Sequence, residues 1–133
     1  MTKFAVVAIM RDEARIWNHG LTPKTHPEIV TAPDESVHHH VRSYEYLDGN
    51  GSNHTSPEYY EAIYKVISGS DEILLLGHGK GKASAMLHLI QYLERKHPLV
   101  GKKVVDALET DLQNLSEGEI MAIGREWIAA HPN

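Results

Sequence analysis

The run Asp71-Glu-Ile-Leu-Leu-Leu-Gly-His-Gly-Lys-Gly-Lys-Ala83 constrains the chain more than any other stretch. Ile73 to Leu76 is uniformly apolar, which predicts a strand buried on both faces of a sheet and therefore covered by a layer on each side. Three closely spaced glycines follow. Beyond them Met86, Leu89, Ile90 and Leu93 recur at helical spacing, with Glu94, Arg95 and Lys96 outside the stripe and Pro98 as a stop. The result is a strand, a cationic glycine loop and an amphipathic helix in direct succession. A helix start carries unpaired N–H groups and partial positive charge, so Gly77, His78, Gly79, Lys80, Gly81 and Lys82 form a candidate site for phosphate or carboxylate. The plainer reading is a tight strand-to-helix turn with solvated lysines. Neither nucleotide fingerprint is met. Only three residues separate Gly77 from Gly81, Ala83 stands where a phosphate loop needs Ser or Thr, and Lys82 stands where a dinucleotide motif needs its third glycine.

The remaining chain supplies the partners of that strand. Phe4 to Met10 reads as a nearly continuous apolar strand, and Glu13 to His19 follows a polar turn at Arg11-Asp12, so the two predict a hairpin. Ala14, Ile16 and Asn18 alternate against Arg15 and Trp17, which predicts one packed and one partly wet face. A short third strand is expected at Glu28 to Thr31, between Pro27 and Pro33. Periodicity is lost from residue 32 to 55. Ser56-Pro57-Glu58 then carries a cap, an N1 proline and an early carboxylate for a helix through Tyr59, Ile63, Val66 and Ile67, ended by Gly69. Lys103 to Leu108 reads as the last strand. Ser116-Glu-Gly-Glu119 is a capping-box pattern opening a helix through Ile120, Ile123 and Trp127. The expected fold class is α/β, with a mixed sheet of about five strands. The first three are antiparallel, and the later ones are parallel and alternate with helices.

A length of 133 residues with 41% apolar residues suits one domain spanning 1–133. A formal net charge of -5, from 18 acidic and 13 basic residues, gives no general cationic field, so DNA is not expected as a partner. The absence of cysteine excludes disulfides and thiol catalysis and is compatible with a cytoplasmic location. No apolar run is long enough for a secretory leader or a membrane span.

The residues that carry a family resemblance are the N-terminal strand with Glu13-Ala-Arg-Ile-Trp17, the histidine cluster, Glu72-Ile-Leu-Leu-Leu-Gly-His-Gly79 with Lys82, Val104 through Glu109-Thr-Asp111, and Leu115-Ser-Glu-Gly-Glu-Ile120. On these the chain resembles the middle domain of archaeal and eukaryotic class 1 release factors and of Pelota. It is more closely similar to the small bacterial single-domain translational-machinery components of that group. The resemblance implies a ribonuclease H-like architecture and association with ribosomes or RNA. Hydrolysis of peptidyl-tRNA is not implied, because the Gly-Gly-Gln tripeptide of those release factors is missing from this sequence. The corresponding loop carries His38-His39-His40-Val-Arg42, and His78 stands where relatives tend to have proline.

Three further groups of residues offer chemistry. His38, His39, His40 and His54 are of the type that binds transition metals, but neighbours in an extended segment point in opposite directions and no cysteine or helical histidine pair supports them. A pH-dependent polar loop is the preferred reading, in which His40 and Arg42 join the glycine loop against phosphate. Glu109 and Asp111, with Asp106, suggest a metal-dependent phosphoester hydrolase, yet Phe4 to Met10 lacks the first-strand carboxylate such a site uses. His78 is the alternative hydrolytic residue. Trp17, Tyr44, Tyr46, Tyr59 and Tyr60 are candidates for base stacking, and an outward Trp17 would also suit a homodimer through the N-terminal sheet. The expectation is a binding module with no cofactor, no resident metal and no catalytic residue.

Overall fold

The computed structural model describes residues 3–22, 25–33, 57–78 and 84–131. Strands β1 (Phe4–Ile9), β2 (Glu13–Trp17) and β3 (Glu28–Thr31) are followed by helix α1 (Pro57–Ile67), β4 (Glu72–Gly77), helix α2 (Ala85–Lys96) and the one-turn α3 (Pro98–Gly101). Strand β5 (Val104–Glu109), a 3-10 turn at Leu112–Asn114 and helix α4 (Glu117–Ala130) complete the described chain. The five strands form one sheet in the order β3-β2-β1-β4-β5. β1 pairs antiparallel with β2 and β2 with β3, whereas β4 runs parallel to both β1 and β5. This is the mixed α/β sheet that the sequence predicts.

Alternation along the two central strands explains the layering. Ala5, Val7 and Ile9 of β1 and Ile73 and Leu75 of β4 face α1 and α2, packing against Tyr59, Ile63, Ile67, Met86, Leu89 and Leu93. Val6, Ala8, Leu74 and Leu76 face the other way, toward Leu112, Ile120 and Met121. Each large aliphatic side chain buried here contributes about 1.5–3 kcal/mol relative to exposure. Ser116 and Glu119 form the predicted capping box: the Ser116 hydroxyl accepts from the Glu119 N–H at 3.1 Å, and the Glu119 carboxylate accepts from the Ser116 N–H at 2.8 Å.

The N-terminal hairpin departs from expectation in one respect. Trp17 is not outward; it is 1% exposed, in the core on the α4 side. The face expected to be wet is covered by α4, whose Glu117 lies 3.7 Å from Arg15, and Arg15 also pairs with Glu13 at 3.0 Å. Arg15 on the same face as Trp17 disguised a packed surface as a solvated one. Tyr59 and Tyr60 are likewise core residues, so neither they nor Trp17 offers a stacking platform, and Trp17 cannot anchor a homodimer. Tyr44 and Tyr46 lie outside the described residues, as does the proposed Ser56 cap.

A polar cluster ties α1 to the end of α2. One Glu61 carboxylate oxygen accepts from the Tyr92 hydroxyl at 2.6 Å and lies 2.7 Å from His97 Nε2, and the His97 ring stacks on Tyr64 at 3.5 Å. The hydrogen bonds from Tyr92 and then His97 hold the Glu61 carboxyl below its ordinary range. The same bond to Glu61, together with burial, pushes the Tyr92 hydroxyl up to about 12. A depressed carboxyl stabilises the fold above its unfolded pKa, and that contribution is lost as pH falls through the folded value. A raised phenol does so below 10, and its contribution is lost as pH climbs toward 12. Denaturant midpoints should therefore fall on both acid and alkaline sides. In Glu61→Gln the acid-side loss should shrink relative to wild type, and equal acid losses in the two proteins would refute the assignment.

Candidate functional site

The parallel strands β1, β4 and β5 end at the same side of the sheet. From β1 the chain turns toward β2, whereas from β4 it crosses over α2 to β5, so the two connections diverge between β1 and β4. In open α/β sheets this divergence leaves a crevice outside the strands' carboxyl ends. A cleft of about 880 Å³ occupies that place, floored by Ile9, Met10, Ala85 and Leu112. Arg11 and Asp12 of the hairpin turn, His78, and Glu109, Thr110 and Asp111 form its polar walls.

Each wall is fixed by ordinary local chemistry. The Met10 carbonyl accepts from the buried Tyr59 hydroxyl at 2.6 Å, anchoring the end of β1 to α1. Burial, aided by nearby Asp12, pushes that hydroxyl above its usual range, so it stays a donor across the working pH range. On the opposite wall the Thr110 N–H donates to the Gly77 carbonyl at 2.8 Å, and the Thr110 hydroxyl donates to the Leu108 carbonyl at 2.9 Å. Asp111 accepts from the Asn114 side-chain amide at 2.5 Å, which orients its carboxylate at the start of the 3-10 turn.

Of the expected loop residues, His78 lines this cleft and Gly77 precedes it at the end of β4. Gly77 is the last residue of β4, and a Cβ there would lie 2.9 Å from the Ile9 carbonyl oxygen and 3.2 Å from Met86 Cβ. Its glycine is required by the close approach of β1 and α2. His78 is exposed on the cleft wall. Gly79, Lys80, Gly81 and Lys82 lie outside the described residues, as do His38, His39, His40, Arg42 and His54. The two ends of that loop are described and are joined. The Ser84 hydroxyl donates to the His78 carbonyl and accepts from the Leu87 N–H at 3.2 Å, so this 1%-exposed side chain both caps α2 and closes the base of the loop.

Glu109 and Asp111 do face the cleft, but Asp106 does not join them. Its carboxylate accepts from the Trp127 indole N–H at 2.9 Å and from the Ala107 N–H at 2.9 Å. Asp12 is the carboxylate that sequence reasoning passed over, because it lies just beyond β1 in a turn. The parallel pairing of β1, β4 and β5 was the signal that could have found it, since it brings the residues after each strand together. Among the described residues no three His, Asp or Glu side chains stand close enough together to hold a metal ion.

Comparison with known proteins bears on the fold. No protein-family model and no curated protein matches the chain. Among solved structures, the Pelota protein of Thermoplasma acidophilum superposes with a TM-score of 0.51 at 18% identity, over 97% of this chain and 39% of that one. Pelota of Archaeoglobus fulgidus gives 0.49 at 12% identity, over 96% and 36%. The first of these likenesses shows a Pelota-like domain fold. The chain spans well under half the length of both proteins.

Gly77→Ala should destabilise the protein by about 1–3 kcal/mol, the usual range for forcing extra atoms into a packed site. Urea unfolding measures this, and an unchanged midpoint would mean that β1 and α2 do not meet there as described.

Proposed function

We propose that the protein is a translation-associated binding module that contacts ribosome or RNA phosphate through its cationic glycine loop. The observation that carries this reading is the closed base of the loop. The Ser84 hydroxyl donates to the His78 carbonyl, and His78 and Ala85 line the switch-point cleft, so the described residues on either side of Gly79, Lys80, Gly81 and Lys82 stand at that cleft. The Pelota-like fold and the resemblance to release-factor middle domains point to translation as the setting. His40 and Arg42 are assigned to the same phosphate surface. Without a Gly-Gly-Gln tripeptide in the sequence, the module binds without the release reaction of those factors. A cytoplasmic location follows from that role, and no helix among the described residues is long and apolar enough to cross a membrane.

The walls of the cleft limit how phosphate can approach. Asp12, Glu109 and Asp111 outnumber Arg11 on those walls, so the cleft interior disfavours an anion and phosphate contacts are few. With Lys80, Lys82 and Arg42 engaged on single-stranded RNA, log K should fall against log salt with a slope of about -2.1. Lys80→Glu with Lys82→Glu should flatten that slope to about -0.7 or less and weaken binding by about tenfold or more, measured with purified ribosomes or RNA at graded salt. A flat salt response in the wild-type protein would contradict the mechanism.

The hydrolase alternative gains Asp12 as a third carboxylate on the cleft but lacks a grouped ligand set among the described residues. Phosphodiester turnover with magnesium or manganese that disappears in Glu109→Gln would favour it over binding.

A further inference from the structure

The second edge of the sheet is built differently from the first. Edge strand β3 has four residues and is bracketed by Pro27 and Pro33, which keep a neighbouring strand from extending along it. Edge strand β5 has six residues, none of them proline, and among the described residues no strand pairs with its outer side. Its inner ladder shows which groups point outward. The Thr110 N–H bonds the Gly77 carbonyl, and Gly77 lies opposite Glu109. A parallel ladder uses alternate residues of each strand, so Leu108 and Thr110 bond inward while the backbone groups of Ala107 and Glu109 point away from β4.

One of those outward donors is already taken. The Ala107 N–H donates to Asp106 Oδ1 at 2.9 Å, and Asp106 Oδ2 is held by the Trp127 indole at 2.9 Å. A register shift opposite Ile73 and Leu74 leaves Val105 as an extra residue, which bends the strand just before this point. Val105 is 37% exposed, and on the helix that Trp127 ties to the strand Ile128 is 41% exposed.

We propose that the outer edge of β5 is a strand-docking surface held closed by Asp106, and that its fitting occupant is β5 of a second copy, antiparallel. The direction follows from charge. Lys102 and Lys103 precede the strand, and Glu109 and Asp111 end and follow it. Antiparallel pairing about a two-fold axis sets each copy's lysines beside the other's carboxylates, whereas parallel pairing sets like charges together. With Asp106 in place the Ala107 donor is satisfied internally, and pairing must break that bond first. This inference is independent of the binding reading, because neither Asp106 nor Ala107 belongs to the cleft.

Sedimentation equilibrium of the full chain tests it. Asp106→Ala frees the Ala107 N–H, and its mass should approach twice that of wild type as concentration rises. Asp106→Asn keeps an oxygen acceptor for one of the two N–H groups that Asp106 now satisfies, so its self-association should exceed wild type and stay below that of Asp106→Ala. Adding Lys102→Glu and Lys103→Glu to Asp106→Ala should return the mass to the wild-type value by setting like charges against each other. If Asp106→Ala does not fold, Trp127→Phe serves instead, since it removes the anchor of the same carboxylate and should raise self-association above wild type. A folded Asp106→Ala, or the substitute Trp127→Phe, whose mass equals wild type throughout would overturn the proposal, and so would a dimer indifferent to the lysine reversals.

Discussion

The burial of β1 and β4 on both faces is the constraint from which the rest of this molecule follows. Ala5 to Ile9 and Ile73 to Leu76 are at most 3% exposed, so neither strand can exist without a helical layer above and below. The upper layer is supplied by α1 and α2 and the lower by α4, and their side chains alternate with the two strands' pleat. Because β1, β4 and β5 are parallel, this packing also gathers three strand ends at one side. The cleft is a consequence of that gathering.

Glycine and serine then shape the junction between the core and the cleft. Gly77 lets the β1 backbone and α2 approach where any side chain would intrude, and Ser84 joins the start of α2 to the carbonyl just after β4. The described residues on either side of 79–83 are therefore held together. Holding the two ends of a short segment together lowers the entropy that ordering it costs.

Much of this was legible in the residues. Apolar runs placed β1, β4 and β5 within one residue at each end, because buried strands write their burial directly into composition, and the flanking Pro27 and Pro33 located β3 at its observed bounds. The capping box at Ser116 and the proline at the first position of α1 were equally plain, since both depend on local geometry. What escaped was long-range. Trp17 looked outward because Arg15 shares its face, and only the docking of α4, more than a hundred residues later, buries it. Asp12 was missed for the same reason: a turn residue becomes a cleft residue only through the pairing of distant strands. Asp106 looked like a metal ligand until the Trp127 indole was found against it.

The central claim, that phosphate is met at the glycine-loop rim of the switch-point cleft, is tested most directly by amide NMR shifts during titration with a short single-stranded RNA. The account predicts shifts concentrated from Gly77 to Ala85 and at the adjoining Met10 to Asp12 turn, diminishing as salt is added. Shifts confined to the β3 edge or to the outer face of α4, with the Gly77 to Ala85 amides unmoved, would contradict it.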